Sequence, residues 1–103
     1  MTRIRACGVD DLADGACMRI EACPPVALYR VDGEFYATAD TCTHEEWSLA
    51  EDGEMEGYEV ICCLHLARFD VRTGEATALP ATVGLETYPI EVSDGEVWIK
   101  HVG

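Results

Sequence analysis

Apolar and polar residues alternate along several short runs of this chain. In the clearest run, LETYPIEV at residues 85–92, Tyr88, Ile90 and Val92 share one face. A period of two residues is typical of a half-buried β-strand. The run continues through a Ser-Asp-Gly turn into EVWIK, whose valine and isoleucine match the same face. Residues 85–100 are therefore predicted to form a β-hairpin.

The same pattern predicts strands in much of the remaining chain. Two further hairpins are expected, at residues 25–38 around an Asp-Gly turn and at residues 68–77. Single strands are predicted at residues 3–7, 16–21 and 58–62, with one short helical turn at residues 9–12. Loops are expected at residues 39–57, 63–67 and 78–84. Because no stretch sustains a 3.6-residue apolar period over about ten positions, the pattern predicts an all-β fold.

Length and composition are those of a single globular domain. The chain has 103 residues and no low-complexity stretch or linker, so residues 1–103 are expected to form one domain. No apolar run approaches the length of a membrane span, and the N-terminus lacks the apolar core of a secretory signal. The expected location is the cytoplasm. Disulfides are disfavoured there, so the six cysteines point to metal or redox chemistry.

Acidic residues dominate the charge of the chain. Twenty Asp and Glu against seven Lys and Arg give a formal net charge of -13. Nucleic acid and anionic membranes bind through Lys and Arg, so neither is expected as a partner. Many of the acidic residues crowd between positions 45 and 59, where no Lys or Arg occurs. Such a block serves solubility, or it steers the protein toward a basic patch on a protein partner.

Two stretches set a cysteine close before a histidine, CTHEEW at residues 42–47 and CCLHLARF at residues 62–69. The first gives the pattern C-x-H and the second gives C-x-x-H. Two thiolates and two imidazoles suit a zinc ion, or a two-iron two-sulfide cluster in which two histidines replace two cysteines on one iron. Both pairs fall in or beside predicted loops held by strands, an arrangement suited to a site on a rigid scaffold.

The spacing favours the two-iron cluster over zinc. Zinc sites usually pair like ligands, Cys with Cys and His with His, about two to four residues apart. Here each stretch offers one of each, and a C-x-H step more naturally reaches two different metal ions. A structural zinc-binding interaction module remains the alternative. A thiol redox enzyme that uses Cys62-Cys63 is a weaker third, because adjacent cysteines form only strained bridges.

CTHEEWSL at residues 42–49 and CCLHLARFDVRTG at residues 62–74 resemble the cluster-binding loops of Rieske [2Fe-2S] proteins. They look most like those of the small Rieske ferredoxins that serve bacterial aromatic-ring-hydroxylating dioxygenases of the biphenyl, toluene and cumene type. The resemblance covers essentially the whole chain, including the VDGE hairpin and a Leu-Pro-Ala loop at residues 79–81. The two-box motif is highly specific, whereas the substrate pathway is not.

The resemblance implies a Rieske-like antiparallel β-sandwich with a small cluster-binding subdomain of loops and short strands at about residues 41–81. It also implies one [2Fe-2S] cluster, covered by a third loop that contains Pro80. By resemblance, two cysteines hold the inner iron and two histidines hold the outer iron: Cys42, Cys62, His44 and His65.

For function, the resemblance implies an electron-transfer component, not an enzyme. Electrons would enter from an NADH-dependent flavoprotein ferredoxin reductase and leave to the Rieske subunit of the terminal oxygenase. The oxygenases themselves need a mononuclear iron held by two histidines and a carboxylate. Once the cluster ligands are assigned, only His101 remains, so no such site can form. Glu46, Trp47 and Leu66 flank the cluster histidines and are the expected contacts with partner proteins.

One position departs from the family pattern. Cys63 stands where the family usually has a residue such as Pro or Ser, so Cys63-Leu64-His65 is a second C-x-H triplet. In an extended strand Cys62 and Cys63 point to opposite faces, and only one can face the site. Cys62 is assigned as the ligand on the family pattern.

Residues around the second box bear on the reduction potential. The resemblance extends to the Rieske proteins of respiratory and photosynthetic complexes, which carry hydroxyl donors where this chain has Ala67 and Phe69. Fewer hydrogen bonds to the cluster stabilise its reduced state less. We therefore expect a potential near the low end of the Rieske range, about -150 mV.

The remaining cysteines, His101 and the aromatic residues are expected to have structural roles. Three cysteines should pack as buried or partly exposed thiols: Cys7, Cys17 and Cys23. His101 should be an exposed bystander. Four aromatic residues on hairpin strands should belong to the core or its border: Tyr29, Phe35, Tyr36 and Trp98.

Overall fold

The computed structural model describes residues 2–22, 25–41, 48–61, 67–78 and 84–101. These residues form eleven β-strands and one short α-helix. In chain order they are β1 (Thr2–Gly8), β2 (Cys17–Ile20), β3 (Val26–Val31), β4 (Glu34–Ala39), α1 (Leu49–Asp52), β5 (Glu54–Glu56), β6 (Glu59–Ile61), β7 (Arg68–Asp70), β8 (Ala76–Ala78), β9 (Thr87–Tyr88), β10 (Ile90–Ser93) and β11 (Glu96–His101). No helix within these ranges has the length and apolar character needed to cross a membrane.

The strands form three sheets. Sheet I has the order β1-β11-β10, sheet II has the order β2-β3-β4-β9, and sheet III has the order β5-β6-β7-β8. Every pair of neighbouring strands is antiparallel. All four strands of sheet III are only three residues long. The predicted all-β antiparallel fold is confirmed.

Two hydrophobic cores lie on opposite faces of β3. The first core joins sheets I and II and contains Cys7, Leu12, Ile20, Val26, Leu28, Ala37, Tyr88, Val97 and Ile99. The second core joins sheet II to α1 and sheet III and contains Ala27, Tyr29, Leu49, Val60, Ala67, Phe69, Val71 and Leu85. Successive side chains of a strand point to opposite faces. The uninterrupted apolar run VALY in β3 is therefore the pattern of a strand that is covered on both sides.

The hairpins predicted at residues 25–38 and 68–77 are confirmed, and the one predicted at residues 85–100 is present but consists of β10 and β11 alone. In the β3–β4 and β10–β11 hairpins the turn is an Asp-Gly pair in which both residues have positive φ, Asp32-Gly33 and Asp94-Gly95. Two successive positive φ values characterise the type I′ turn, whose twist matches that of antiparallel strands. The β7–β8 hairpin has a longer connection, which includes Gly74. The single strands predicted near residues 3–7, 16–21 and 58–62 are also present as β1, β2 and β6.

The predicted apolar face of residues 85–92 is only partly correct. Pro89 divides the run, because Tyr88 pairs with β4 in sheet II whereas Ile90 pairs with β11 in sheet I. Val92 was expected to share the buried face, yet it is 54% exposed. It lies on β10, at the edge of sheet I and close to the turn, and no other strand of the described residues pairs with β10 on that side.

Two other expectations are wrong. Residues 9–12 form turns without a helix; the amide of Asp11 donates to the carbonyl of Gly8 (3.0 Å). Residues 39–57 were expected to be irregular, yet their described part contains α1 and β5. A four-residue helix and a three-residue strand are too short to produce a recognisable period in the sequence.

Candidate metal centre

The residues predicted to form the centre lie outside the described part of the chain. This holds for the four predicted ligands and for their neighbours in the motifs: Cys42, His44, Cys62, His65, Cys63, Glu46, Trp47, Leu66 and Pro80. It also holds for Cys23 and for the side chain of His101. The structure does describe the residues that bracket each of these segments, and their arrangement limits where the segments begin and end.

The first segment, residues 42–47, connects two positions that lie side by side. Thr41 and Ser48 form an antiparallel β-bridge. The amide of Leu49 donates to the carbonyl of Asp40 at 2.8 Å. The residues on either side of the segment that contains the first C-x-H pair are therefore hydrogen-bonded to each other.

Helix α1 begins where this first loop ends. Ser48 is its N-cap, and Oγ of Ser48 accepts from the amide of Glu51 at 3.1 Å. Oδ1 of Asp40 accepts from the amide of Ala50 at 3.0 Å. The first amides of a helix have no partner within the helix. Asp40 and Ser48 supply acceptors for the amides of Leu49, Ala50 and Glu51, and so they dock α1 against the entry to the loop.

The second and third segments meet the same edge of sheet III. Four residues form a row across this edge, paired in the order Glu54, Ile61, Arg68 and Ala78. Residues 62–66 follow Ile61 and return just before Arg68, while residues 79–83 follow Ala78. Neighbouring strands lie about 4.8 Å apart. Ile61 and Ala78 are thus within about 10 Å of each other.

Gly53 brings α1, and with it the first loop, to this edge. Its amide donates to the carbonyl of Leu49 at 3.0 Å, and it directly precedes Glu54, the first residue of the row. A Cβ atom at Gly53 would lie 2.6 Å from the oxygen of Leu49 and 2.9 Å from the oxygen of Ile61. Only glycine permits this close approach of backbone to backbone. All three segments therefore begin or end at one edge of the molecule.

The described residues beneath this edge are apolar. Four members of the second core lie there, each at most 1% exposed: Leu49, Val60, Ala67 and Phe69. Ala67 directly follows the second segment, and neither it nor Phe69 carries a side-chain hydrogen-bond donor. These are the surroundings from which the low reduction potential is predicted.

Two arginines border the edge, and carboxylates surround both. Arg19 faces three of them, at distances of 3.2, 3.6 and 2.9 Å: Glu21, Asp40 and Glu51. Arg68 faces two, at 3.1 and 3.0 Å: Glu56 and Glu59. Side-chain hydrogen bonds with Thr77 and Arg68 hold the pKa of Glu59 below its usual range. Five carboxylates against two guanidinium groups leave this border negative among the described residues.

Cys7 and Cys17 are placed as structural thiols. Cys7 lies in the first core, and Cys17 is half-buried with its Sγ donating to the carbonyl of Ala50 at 3.3 Å. Burial raises the pKa of both thiols, which favours the protonated form, and it is the thiolate that binds metals. The prediction that these two cysteines pack as buried or partly exposed thiols is confirmed. The expected core or border positions of Tyr29, Phe35 and Tyr36 are confirmed as well. Trp98 instead lies between the core residues Val97 and Ile99 on β11, and the guanidinium of Arg3 stacks on its ring at 4.3 Å.

The metal-binding side chains in residues 42–47 and 62–66 fit a Rieske-type cluster. Residues 42–47 and 62–66 each supply at least one cysteine and one histidine, the ligand combination that a [2Fe-2S] cluster with two histidines on one iron requires. Each segment begins and ends at the same edge of the molecule, so one Cys/His pair can reach a shared site from each segment. The buried apolar residues below would shield the inner side of such a site.

Sequence reasoning missed three residues that support this arrangement, Asp40, Arg19 and Ser48. A signal existed for Ser48, because SLAE at residues 48–51 has the S-x-x-E pattern of a capping box and so predicts the start of a helix. No comparable signal existed for Asp40. An aspartate at the end of a strand usually indicates a turn, and its burial depends on residues that are distant in the sequence.

Comparison with known proteins agrees with this geometry. Residues 2–89 match the model of the Rieske [2Fe-2S] domain family. The chain is 44% identical over 95 residues to the p-cumate 2,3-dioxygenase system ferredoxin component of Pseudomonas putida, which covers 90% of this chain and 80% of that protein. It is 42% identical over 100 residues to the biphenyl dioxygenase ferredoxin subunit of Pseudomonas sp. strain KKS102, covering 96% of this chain and 92% of that protein.

A solved structure has the same fold. A chain in the complex of reduced oxygenase and oxidized ferredoxin in carbazole 1,9a-dioxygenase superposes with a TM-score of 0.90 at 38% identity. The superposition covers 94% of this chain and 91% of that one. The alternative of a zinc module has no support in these comparisons. The chain belongs to the Rieske [2Fe-2S] domain family, and its cofactor is one [2Fe-2S] cluster of the Rieske type.

Proposed function

We propose that this protein is a one-electron carrier in an aromatic-ring-hydroxylating dioxygenase system. It takes electrons from an NADH-dependent flavoprotein ferredoxin reductase and passes them to the Rieske subunit of the terminal oxygenase. The observation that carries the proposal is the convergence of three segments, two of them with a Cys/His pair, at one edge of sheet III. Two relatives named as ferredoxin components of dioxygenases, and a similar chain in an oxygenase–ferredoxin complex, support it.

Four residues of the chain hold the cluster in this proposal. The thiolates of Cys42 and Cys62 bind one iron, and the imidazoles of His44 and His65 bind the other. When bound, the cluster supplies a centre that accepts and releases a single electron. The described residues at the ends of the two ligand-bearing segments are paired with each other, Thr41 with Ser48 and Ile61 with Arg68.

The proposal also concerns the organisation of the chain. Residues 1–103 form one domain, in which residues 41–81 are the cluster-binding subdomain. Support comes from the position of sheet III, whose strands all lie between residues 54 and 78, and from the second core, which joins that sheet to β3. The cytoplasm remains the expected location.

Partner proteins would dock around the cluster histidines. Glu46, Trp47 and Leu66 flank those histidines in the sequence, and the described border near them is acidic. Electron-transfer encounters are brief and use small interfaces. A basic patch on the partner would accelerate the encounter at low ionic strength. If electron transfer from the cognate reductase did not slow with increasing salt, this steering would be wrong.

Analysis of the purified protein tests the cofactor and its ligands. We expect two irons and two acid-labile sulfides per chain, a brown colour, and a midpoint potential of about -150 mV. Colourless protein with one zinc per chain would support the structural zinc module instead. To test the function, the protein is reduced with NADH and the cognate reductase, and its reoxidation by the oxygenase is followed by visible absorption. Failure of the oxygenase to reoxidise it would contradict the carrier role.

Paired substitutions separate the two adjacent cysteines. Cys62→Ser should abolish cluster assembly, because it removes a thiolate ligand, whereas Cys63→Ser should retain the iron and sulfide content of the parent protein. The measurement is iron and sulfide per chain in the two purified variants, with far-ultraviolet circular dichroism to check that each is folded. An intact cluster in Cys62→Ser would show that the assignment of Cys62 is wrong.

A further inference from the structure

We propose that Asp40 is a positioning residue for the first cluster-binding loop and that its negative charge lowers the reduction potential of the cluster. The inference rests on the proposed function, because it requires Cys42 and His44 to bind the cluster. It concerns a residue outside the two Cys/His motifs, two positions before the first of them.

Asp40 closes the first loop with both its main chain and its side chain. Its amide donates to the carbonyl of Pro25 at 3.1 Å, and its carbonyl accepts from the amide of Leu49 at 2.8 Å. Its Oδ1 accepts from the amide of Ala50 at 3.0 Å. These contacts join β4 and the start of α1, the two elements between which residues 42–47 run. Asp40 therefore holds the entry and the exit of that loop together.

The burial of Asp40 is unusual for a carboxylate. It is 1% exposed, and it is the only charged residue that is buried in the described part of the chain. Burying a charge is costly unless it is paired. The nearest cation is Arg19, whose Nε lies 3.6 Å from Oδ2 of Asp40. Arg19 is 33% exposed and also faces Glu21 and Glu51, so its charge is shared.

The loop closure by itself does not require a charge. A neutral amide oxygen, such as that of asparagine, could accept from the amide of Ala50 equally well. The charge of Asp40 is therefore separable from its role in closing the loop. Asp40 also lies close in the chain to the proposed ligand Cys42. Two residues of chain span at most about 7 Å, so the Cα atoms of Asp40 and Cys42 are no further apart than that.

A negative charge close to the cluster disfavours the addition of an electron to it. As a scale, at an effective dielectric constant of about 20 a unit charge about 12 Å from a redox centre changes a one-electron equilibrium about tenfold. The charge of Asp40 therefore lowers the equilibrium constant for reduction. Arg19 acts in the opposite direction, and more weakly, because it is partly exposed to solvent.

Charge-neutralising substitutions in the cluster-loaded protein test the inference. Asp40→Asn keeps the acceptor for Ala50 and removes the charge, and Arg19→Gln removes the nearby cation. The matched controls are Glu96→Gln and Arg5→Gln, which dismantle an exposed ion pair of sheet I and change the net charge equally. The midpoint potential of each variant is measured at pH 7 by spectroelectrochemical titration.

We expect Asp40→Asn to raise the equilibrium constant for reduction about tenfold, a shift of 59 mV for one electron, and Arg19→Gln to lower it by less. The two controls should change it less than twofold. Unchanged potentials in both Asp40→Asn and Arg19→Gln, or shifts of the opposite sign, would overturn the electrostatic role.

Amide hydrogen exchange separates the positioning role from the charge. Asp40→Ala should accelerate exchange at Ala50, whereas Asp40→Asn should restore the slow exchange of the parent protein. Equal exchange at Ala50 in the parent and in Asp40→Ala would overturn the positioning role. Should Asp40→Asn fail to assemble a cluster, the potential of Arg19→Gln decides the electrostatic role. Absence of iron and sulfide from the parent protein would contradict the proposed function and not this inference alone.

Discussion

At the scale of single residues, Tyr29 and Thr38 form a buried hydroxyl pair beside the strand end that leads into the first loop. Both side chains have 0% exposure, and their oxygens are 2.9 Å apart. Oγ1 of Thr38 donates to the carbonyl of Ala39 at 2.9 Å. Because a hydroxyl has only one proton to donate, Tyr29 must be the donor in its bond to Thr38. The pair thus orders the side chains immediately before Asp40.

The protonation of Tyr29 makes the stability of the fold depend on pH in the alkaline range. Burial raises the pKa of Tyr29 well above its ordinary value, because it disfavours the charged phenolate. In the unfolded chain a tyrosine loses its proton near pH 10. The contribution of Tyr29 to stability is therefore complete below about pH 10 and is lost as the pH rises through its folded pKa.

We expect Tyr29→Phe to reduce the free energy of unfolding by about 1 kcal/mol at pH 7, because it removes one buried hydrogen bond. Above about pH 10 the free energy of unfolding should fall with pH more steeply in the parent than in the variant. The two slopes should differ by up to about 1.4 kcal/mol per pH unit. Urea unfolding at pH 7 and at several alkaline pH values measures both effects. Identical alkaline slopes in the two proteins would show that Tyr29 does not carry this dependence.

At the scale of elements, the β7–β8 turn fixes where the third loop re-enters the fold. The amide of Gly74 donates to the carbonyl of Asp70 at 2.7 Å, and the amide of Leu85 donates to the carbonyl of Gly74 at 2.6 Å. Gly74 has a φ of 81°, and a Cβ atom there would overlap the carbonyl oxygen of Leu85. This turn and the chain after residues 79–83 are therefore packed backbone against backbone.

Substitution of Gly74 should be far more costly than substitution of a glycine that shares only its positive φ. Gly57 provides the control, since its φ is 60° and an added Cβ would meet no atom within 4 Å. We expect Gly57→Ala to cost about 1 kcal/mol of unfolding free energy and Gly74→Ala about 3 kcal/mol or more. Urea denaturation of the two variants gives the comparison. Equal losses of unfolding free energy in the two variants would mean that the backbone of Leu85 can move away from an added Cβ atom without cost.

At the scale of the whole molecule, β3 separates two cores of different character. The first core packs sheet I on sheet II, whose strands apart from β9 have four to seven residues and which each contain a hairpin with a type I′ turn. The second core depends on α1 and on the four short strands of sheet III. Three-residue strands bury little surface of their own. Sheet III should therefore derive much of its stability from the metal centre held by the loops at its edge.

Removal of the cluster should loosen sheet III selectively. In the apoprotein we expect amide exchange at Val60 and Phe69 to accelerate about tenfold or more, with a much smaller change at Val97 and Ile99 of sheet I. Hydrogen exchange followed by mass spectrometry in loaded and cluster-free protein measures the difference. Uniform acceleration in both sheets would indicate a single cooperative unit in place of two.

The sequence predictions were correct where a feature depends on neighbouring residues and wrong where it depends on residues distant in the chain. The β3–β4 and β10–β11 hairpins were predicted correctly because an Asp-Gly pair that adopts two positive φ values determines the turn locally. The exposure of Val92 was mispredicted because it depends on which strand lies at the edge of sheet I. Helix α1 was missed because four residues show no recognisable period and because part of its cap comes from Asp40, nine and ten residues before the amides that it caps.

The amino-acid sequence by itself determined the family and the cofactor, because the two Cys/His boxes place the required thiolates and imidazoles within a few residues of each other. It also determined the strand pattern and the hairpin turns, which depend on neighbouring residues. Only the tertiary structure decided that three separate segments meet at one edge, that Gly53 permits this approach, and that Asp40 is buried behind the first loop. Burial and close backbone contact arise between residues far apart in the chain, and no local pattern encodes them.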